Sequence, residues 1–132
     1  MSAQLDRLKK RLDRIPQKVK EAVKPTLIEA GNELVDTMKQ LAPVRTGALR
    51  DSITATPPGE TTPPYSEPGG SRAVPENQVV ITAGNTDVRY AHLVEYGTSK
   101  AHAQPFFWPA YRSLKDGLKR QIKDAIKKAV RS

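Results

Sequence analysis

The chain has no cysteine, which excludes disulfides and thiolate zinc sites and permits, without demanding, a reducing compartment. It has no run of about 18 apolar residues, so nothing in it reads as a membrane span. Its first residues are charged almost at once and lack a signal-peptide apolar region, so the protein is expected to be soluble and cytoplasmic when made. Aromatic residues make up 5% of 132 residues and apolar residues 37%, against 27% charged. A chain of this length fits one domain, residues 1–132, with a thin core and a large surface. The few aromatics are gathered rather than scattered. Residues 90–110 hold both histidines, the single Trp, both Phe and two of the four Tyr. Such a cluster supplies large apolar area at low conformational cost. It either anchors the core or plugs into a partner.

The net charge of +8 sits at the two ends. Residues 1–24 carry eight Lys/Arg against three acids and residues 109–132 eight against two, while residues 25–108 carry six against nine. Basic ends suit phosphates or acidic protein surface, or are simply the solvated faces of two helices.

Those helices are legible. Leu5, Leu8, Leu12, Ile15, Val19, Val23, Leu27, Leu34, Met38 and Leu41 recur at steps of three or four, with Ala30 filling one gap. Pro16 and Pro25 predict a break or kink near one or both. Residues 1–20 read as a helical arm, and the helix ends at Ala42-Pro43. A second stripe, Tyr111, Leu114, Leu118, Ile122, Ile126 and Val130, predicts a final helix with Pro109 as its first residue. Between them, Ser52–Thr56 and Asn77–Ala83 read as strands and Val88–Tyr90 as a short third. Residues 57–76, with six prolines and three glycines, read as a long mobile loop. Residues 91–96 read as one helical turn leaving through Gly97. The predicted fold class is α+β: a small antiparallel sheet packed by a long N-terminal and a C-terminal helix, with a Pro/Gly-rich inter-strand loop. So small a sheet is marginal alone, which favours assembly.

No catalytic constellation presents itself. His92 and His102 lack metal-ligand spacing and a third ligand, no Gly-x-Ser-x-Gly elbow occurs, and no phosphate loop is found. The expectation is a non-enzymatic protein with no cofactor and no metal. The C-terminal helix carries Lys115, Lys119, Arg120, Lys123, Lys127 and Lys128 as a basic face opposite its stripe, a candidate for sequence-independent contact with DNA. No nucleic-acid recognition signature accompanies it.

Three segments occur in order: Leu41-Ala-Pro-Val-Arg-Thr-Gly-Ala-Leu-Arg-Asp-Ser-Ile53, Tyr90-Ala-His-Leu-Val-Glu-Tyr-Gly-Thr98 and Gln104-Pro-Phe-Phe-Trp-Pro-Ala110. Over roughly residues 20–131 the chain resembles the tailed-phage family named for gene product ten of the lambdoid phage Hong Kong 97. The loop at 57–76 and the basic arm before residue 20 depart from it. The resemblance implies a structural phage protein of the neck or tail, completing the tail or joining it to the head. It implies a homo-oligomeric ring on the phage axis, located in the virion after assembly in the host cytoplasm. Its partners would be other neck and tail proteins, with non-specific contact to packaged DNA and no membrane. A tail terminator capping the tube, or a basic DNA-binding protein of prophage origin, are the alternatives. The expected partner interface is Leu49, Tyr96, Phe106, Phe107 and Trp108, with the core as the competing place for the aromatics. Gly47, Gly97, Pro105 and Pro109 are expected to shape turns, and Glu95 to cap a helix or to pair with Arg45 or Arg50.

Overall fold

The computed structural model describes residues 16–44 and 47–131. The predicted arm therefore falls mostly outside the described residues. Its last part, from Pro16, begins helix α1 (Gln17–Leu41). There follow α2 (Ala48–Asp51), β1 (Thr54–Thr56), β2 (Val80–Thr82), α3 (Ala91–Tyr96) and α4 (Phe107–Arg131). The class is α+β, as expected: a two-stranded antiparallel sheet with the long N- and C-terminal helices packed along each other. No described helix is long and apolar enough to cross a membrane.

The two prolines act differently. Pro16 stands just outside α1, and its carbonyl accepts the Val19 and Lys20 amides at 2.9 and 3.1 Å. Pro25 lies inside the helix without ending it. It sits on the exposed side, where the carbonyl it leaves unbonded is free to meet water. The helix stops where Ala42 turns extended (ψ 135°), the conformation imposed on a residue that precedes proline.

β1 and β2 pair in the register Thr54↔Thr82, Ala55↔Ile81 and Thr56↔Val80. The strands are shorter than the sequence pattern suggests, and 88–90 forms no strand. Two short strands gain stability only by lying against a helix, and one residue sets how closely α1 approaches them. A Cβ on Gly31 would stand 2.7 Å from Val79 Cγ1 and 3.3 Å from Ala55 Cβ. The helix rests on the sheet because that position has no side chain. On this seat α1, the sheet and α4 enclose one core around Met38, Leu49, Ile53, Phe106 and Ala110.

The 57–76 segment builds no helix or strand, as its prolines require, yet it is hydrogen-bonded within itself. The Gly59 and Thr62 amides donate to the Val74 and Arg72 carbonyls, each at 2.9 Å. Buried Thr62 donates its hydroxyl to the Gly70 carbonyl and accepts the Arg72 amide, each at 2.8 Å. The segment is then tied to the end of β2 by reciprocal Glu67–Ala83 backbone bonds of 2.9 and 3.0 Å.

Two stability outcomes follow from this packing. Gly31→Ala should destabilise the fold by the roughly 1–3 kcal/mol typical of overpacking, and so lower the urea midpoint, since Val79 is β-branched and short. Thr82→Val should raise stability by about 1 kcal/mol, because a fully buried hydroxyl without a partner carries a desolvation cost and the Thr82 Oγ1 has none among the described residues. Equilibrium urea unfolding followed by circular dichroism measures both.

Candidate assembly interface

Helix α4 starts at Phe107 after Gln104-Pro-Phe106, a sequence with no Ser, Thr, Asp or Asn to accept its first amides. A remote side chain does so instead. Glu95, near the end of α3, is 7% exposed. Its Oε1 accepts the Phe106 and Phe107 amides at 3.0 and 2.9 Å, and its Oε2 the Trp108 amide at 3.2 Å. Pro109, the third residue of the helix rather than its first, has no amide to satisfy. One carboxylate thus takes up the free donors of the first turn and faces the positive end of the helix dipole. Among the described residues no Lys or Arg pairs with it. Of the readings left open by the sequence, capping is realised and the pairing with Arg50 is not. Arg50 lies exposed, and Arg45 is outside the described residues.

The same device starts α3. Tyr90 precedes that helix without a side-chain cap, and Glu67 from the 57–76 segment supplies it. Glu67 Oε2 accepts the His92 amide at 2.8 Å, while Oε1 lies 2.7 Å from His92 Nδ1. The segment therefore holds α3, and α3 holds α4. Between the two helices Gly97 has φ 78° and ψ 175°, a region open essentially only to glycine. An added Cβ there would also meet the Ala103 amide nitrogen at 2.7 Å. Gly47, with φ 85°, opens α2. Pro105 lies exposed just ahead of the capped turn.

The capped turn aims the aromatics. Phe106 and Phe107 meet edge to face with centroids 6.4 Å apart, Phe107 and Trp108 at 5.0 Å, and Trp108 and Tyr111 at 6.0 Å. Phe106 (1% exposed), Phe107 and Leu49 belong to the chain's own core. Of the five residues expected at a partner interface, these three are turned inward, because the short sheet offers few other large residues to fill the space beneath α4. Trp108 is half-buried and donates Nε1–H to the Tyr96 hydroxyl at 2.8 Å, and Tyr96 is 69% exposed. Those two remain available to a neighbour.

Beside this junction runs an apolar groove of about 450 Å³ between α1, β2 and α4. Its walls include Leu27, Leu34, Val79, Ile81, Trp108 and Leu118. The six basic residues expected to act together are divided by it. Lys115 and Lys119 stand half-buried on its rim, whereas Arg120, Lys123, Lys127 and Lys128 are exposed farther round or along α4. The α4 stripe itself is only half covered: Leu114, Leu118, Ile122 and Ile126 are all partly accessible, and Val130 is exposed. His102 is exposed, and the described residues hold no group of three or more His, Cys, Asp or Glu suited to a metal ion.

Two carriers of the site escape a reading of the sequence alone. Glu67 lies in a segment that reads only as loop, and Gly31 is masked by the helical stripe around it. A signal for remote capping does exist: both α3 and α4 begin without a local capping residue, which demands acceptors from elsewhere.

A family model described as "Bacteriophage HK97-gp10, putative tail-component" matches residues 6–97. The match takes in part of the basic arm, which the sequence motifs left out, and stops before the Gln104–Ala110 segment and α4. No curated protein and no solved structure matches the chain.

Removal of the cap gives a direct check on this geometry. Glu95→Ala should cost roughly 2 kcal/mol, the upper end for loss of a helix cap, and should loosen α4 before the rest. Amide hydrogen exchange, read as lost protection in 106–118, detects it. Gly97→Ala should destabilise the fold at least as much, through a positive φ and a backbone clash.

Proposed function

Because the chain belongs to the bacteriophage HK97-gp10 family of tail components, we propose that it acts as a structural subunit of the phage neck or tail. Copies of it form a ring on the phage axis that completes the tail or joins it to the head. The observation that carries this reading beyond the family is the unfinished surface of the subunit. A long groove and a half-covered stripe on α4 leave apolar area open, and contiguous area of that kind marks an interaction site. Association would bury it.

The exposed cations Arg120, Lys123, Lys127 and Lys128 support a second element of the proposal. Facing the lumen of a ring, they would hold DNA by phosphate attraction alone. Such contact carries no base preference and falls steeply with salt, which lets DNA pass rather than lodge.

The genetic test is a phage lacking this gene. The proposal expects filled heads and finished tails that fail to join, restored by the gene supplied in trans. Abnormally long tails would identify a terminator instead. Light scattering on the purified protein should show multimers at high concentration or on addition of tails. DNA retention by the ring should be weak and vanish between 50 and 200 mM salt, as expected for a few phosphate contacts. Tight, salt-resistant DNA binding by the monomer would favour a DNA-binding protein.

A further inference from the structure

We propose that the groove between α1, β2 and α4 receives the solvent-facing side of α1 from a second copy of this chain, which rests on the ring reading above. The groove is apolar along its floor, and its charged lining residues are all cationic: Arg72, Lys115 and Lys119. Its occupant should therefore present an apolar centre edged by acids. The basic segment ahead of Pro16, with five Lys/Arg against two acids, does not meet that condition. The outer side of α1 does. There Pro25 and Ile28 form a shallow apolar patch edged by Glu21 and Glu29, with Lys24 as its one cation. Asp36 stands exposed farther along the same side.

The placement of the two surfaces gives the contact its direction. Successive helical residues turn about 100° round the axis. Leu27, Gly31, Leu34 and Met38 thus share the side that lines the groove, while Glu21, Pro25, Ile28 and Glu29 fall on the other side. Each subunit carries the socket on one side of α1 and the matching patch on the opposite side. A contact between two different surfaces is heterologous and repeats head to tail. It closes into a ring when the rotation per step divides a full turn. The same logic explains why α4 tolerates cations beside its apolar stripe: Lys115 and Lys119 find their counter-charges on the neighbour.

Charge exchange in the full chain, with sedimentation velocity as readout, tests the contact. Lys115→Glu/Lys119→Glu and, separately, Glu21→Lys/Glu29→Lys should each weaken self-association by about tenfold or more, as for opposed charges at an interface. The quadruple variant, which carries both exchanges, should regain most of the wild-type association. Asn32→Arg, at an exposed position of the same patch, should weaken association without lowering the melting temperature, which separates docking from folding. Wild-type-like multimers in all variants would overturn the proposed contact and leave the ring intact. So would a quadruple variant weaker than either pair. A wild-type protein that stays monomeric at every concentration and with tails present would overturn the ring itself.

Discussion

The carboxylate of Glu95 is the constraint on which the rest of the arrangement depends. Buried at the start of α4 and bonded to three consecutive amides, it fixes where the apolar stripe of α4 begins and which way it points. A buried carboxylate without a cationic partner is costly unless its lone pairs are taken up. Here three backbone donors and the helix dipole do so. The bond is reciprocal in its effect: the helix end is satisfied, and the short α3 that carries Glu95 is held in place. Phe106 enters the core and Trp108 reaches the groove because of that anchor.

The anchor is one link in a chain of remote caps. Glu67 closes the start of α3, Glu95 the start of α4, and the 57–76 segment is itself tied to β2 through Ala83. The described residues hold two three-residue strands, little sheet to organise the fold. Long-range polar bonds take that part, and the close approach of α1 at Gly31 completes it. The hydrophobic core is correspondingly small, and the described residues leave apolar area uncovered.

That uncovered area is what the proposed function uses: a tail component that fits against copies of itself would bury it. The caps place rigid helices, the helices frame a groove, and the groove's cations answer acids on the far side of α1. In the proposed ring the unfinished surface of one subunit is the seat of the next, while the outer cations of α4 remain for DNA.

The sequence by itself determined the helices, their apolar stripes, the segregation of charge, the α+β class and the family. All of these follow from local periodicity and from motifs of adjacent residues, which need no knowledge of distant contacts. Phe106 and Phe107 could be seen to matter but not which way they face, because an aromatic cluster looks the same in a core and at an interface. The sequence predicts a break or kink near Pro16, Pro25 or both: α1 begins after Pro16, whereas Pro25 is part of it, since its position on the exposed side leaves the lost bond to solvent. Only the tertiary structure decided that Glu95 and Glu67 cap helices begun elsewhere, that Gly31 seats α1 on the sheet, and that Lys115 and Lys119 belong to a groove. Each of these is a meeting of residues far apart in the chain, and such meetings are set by packing in three dimensions.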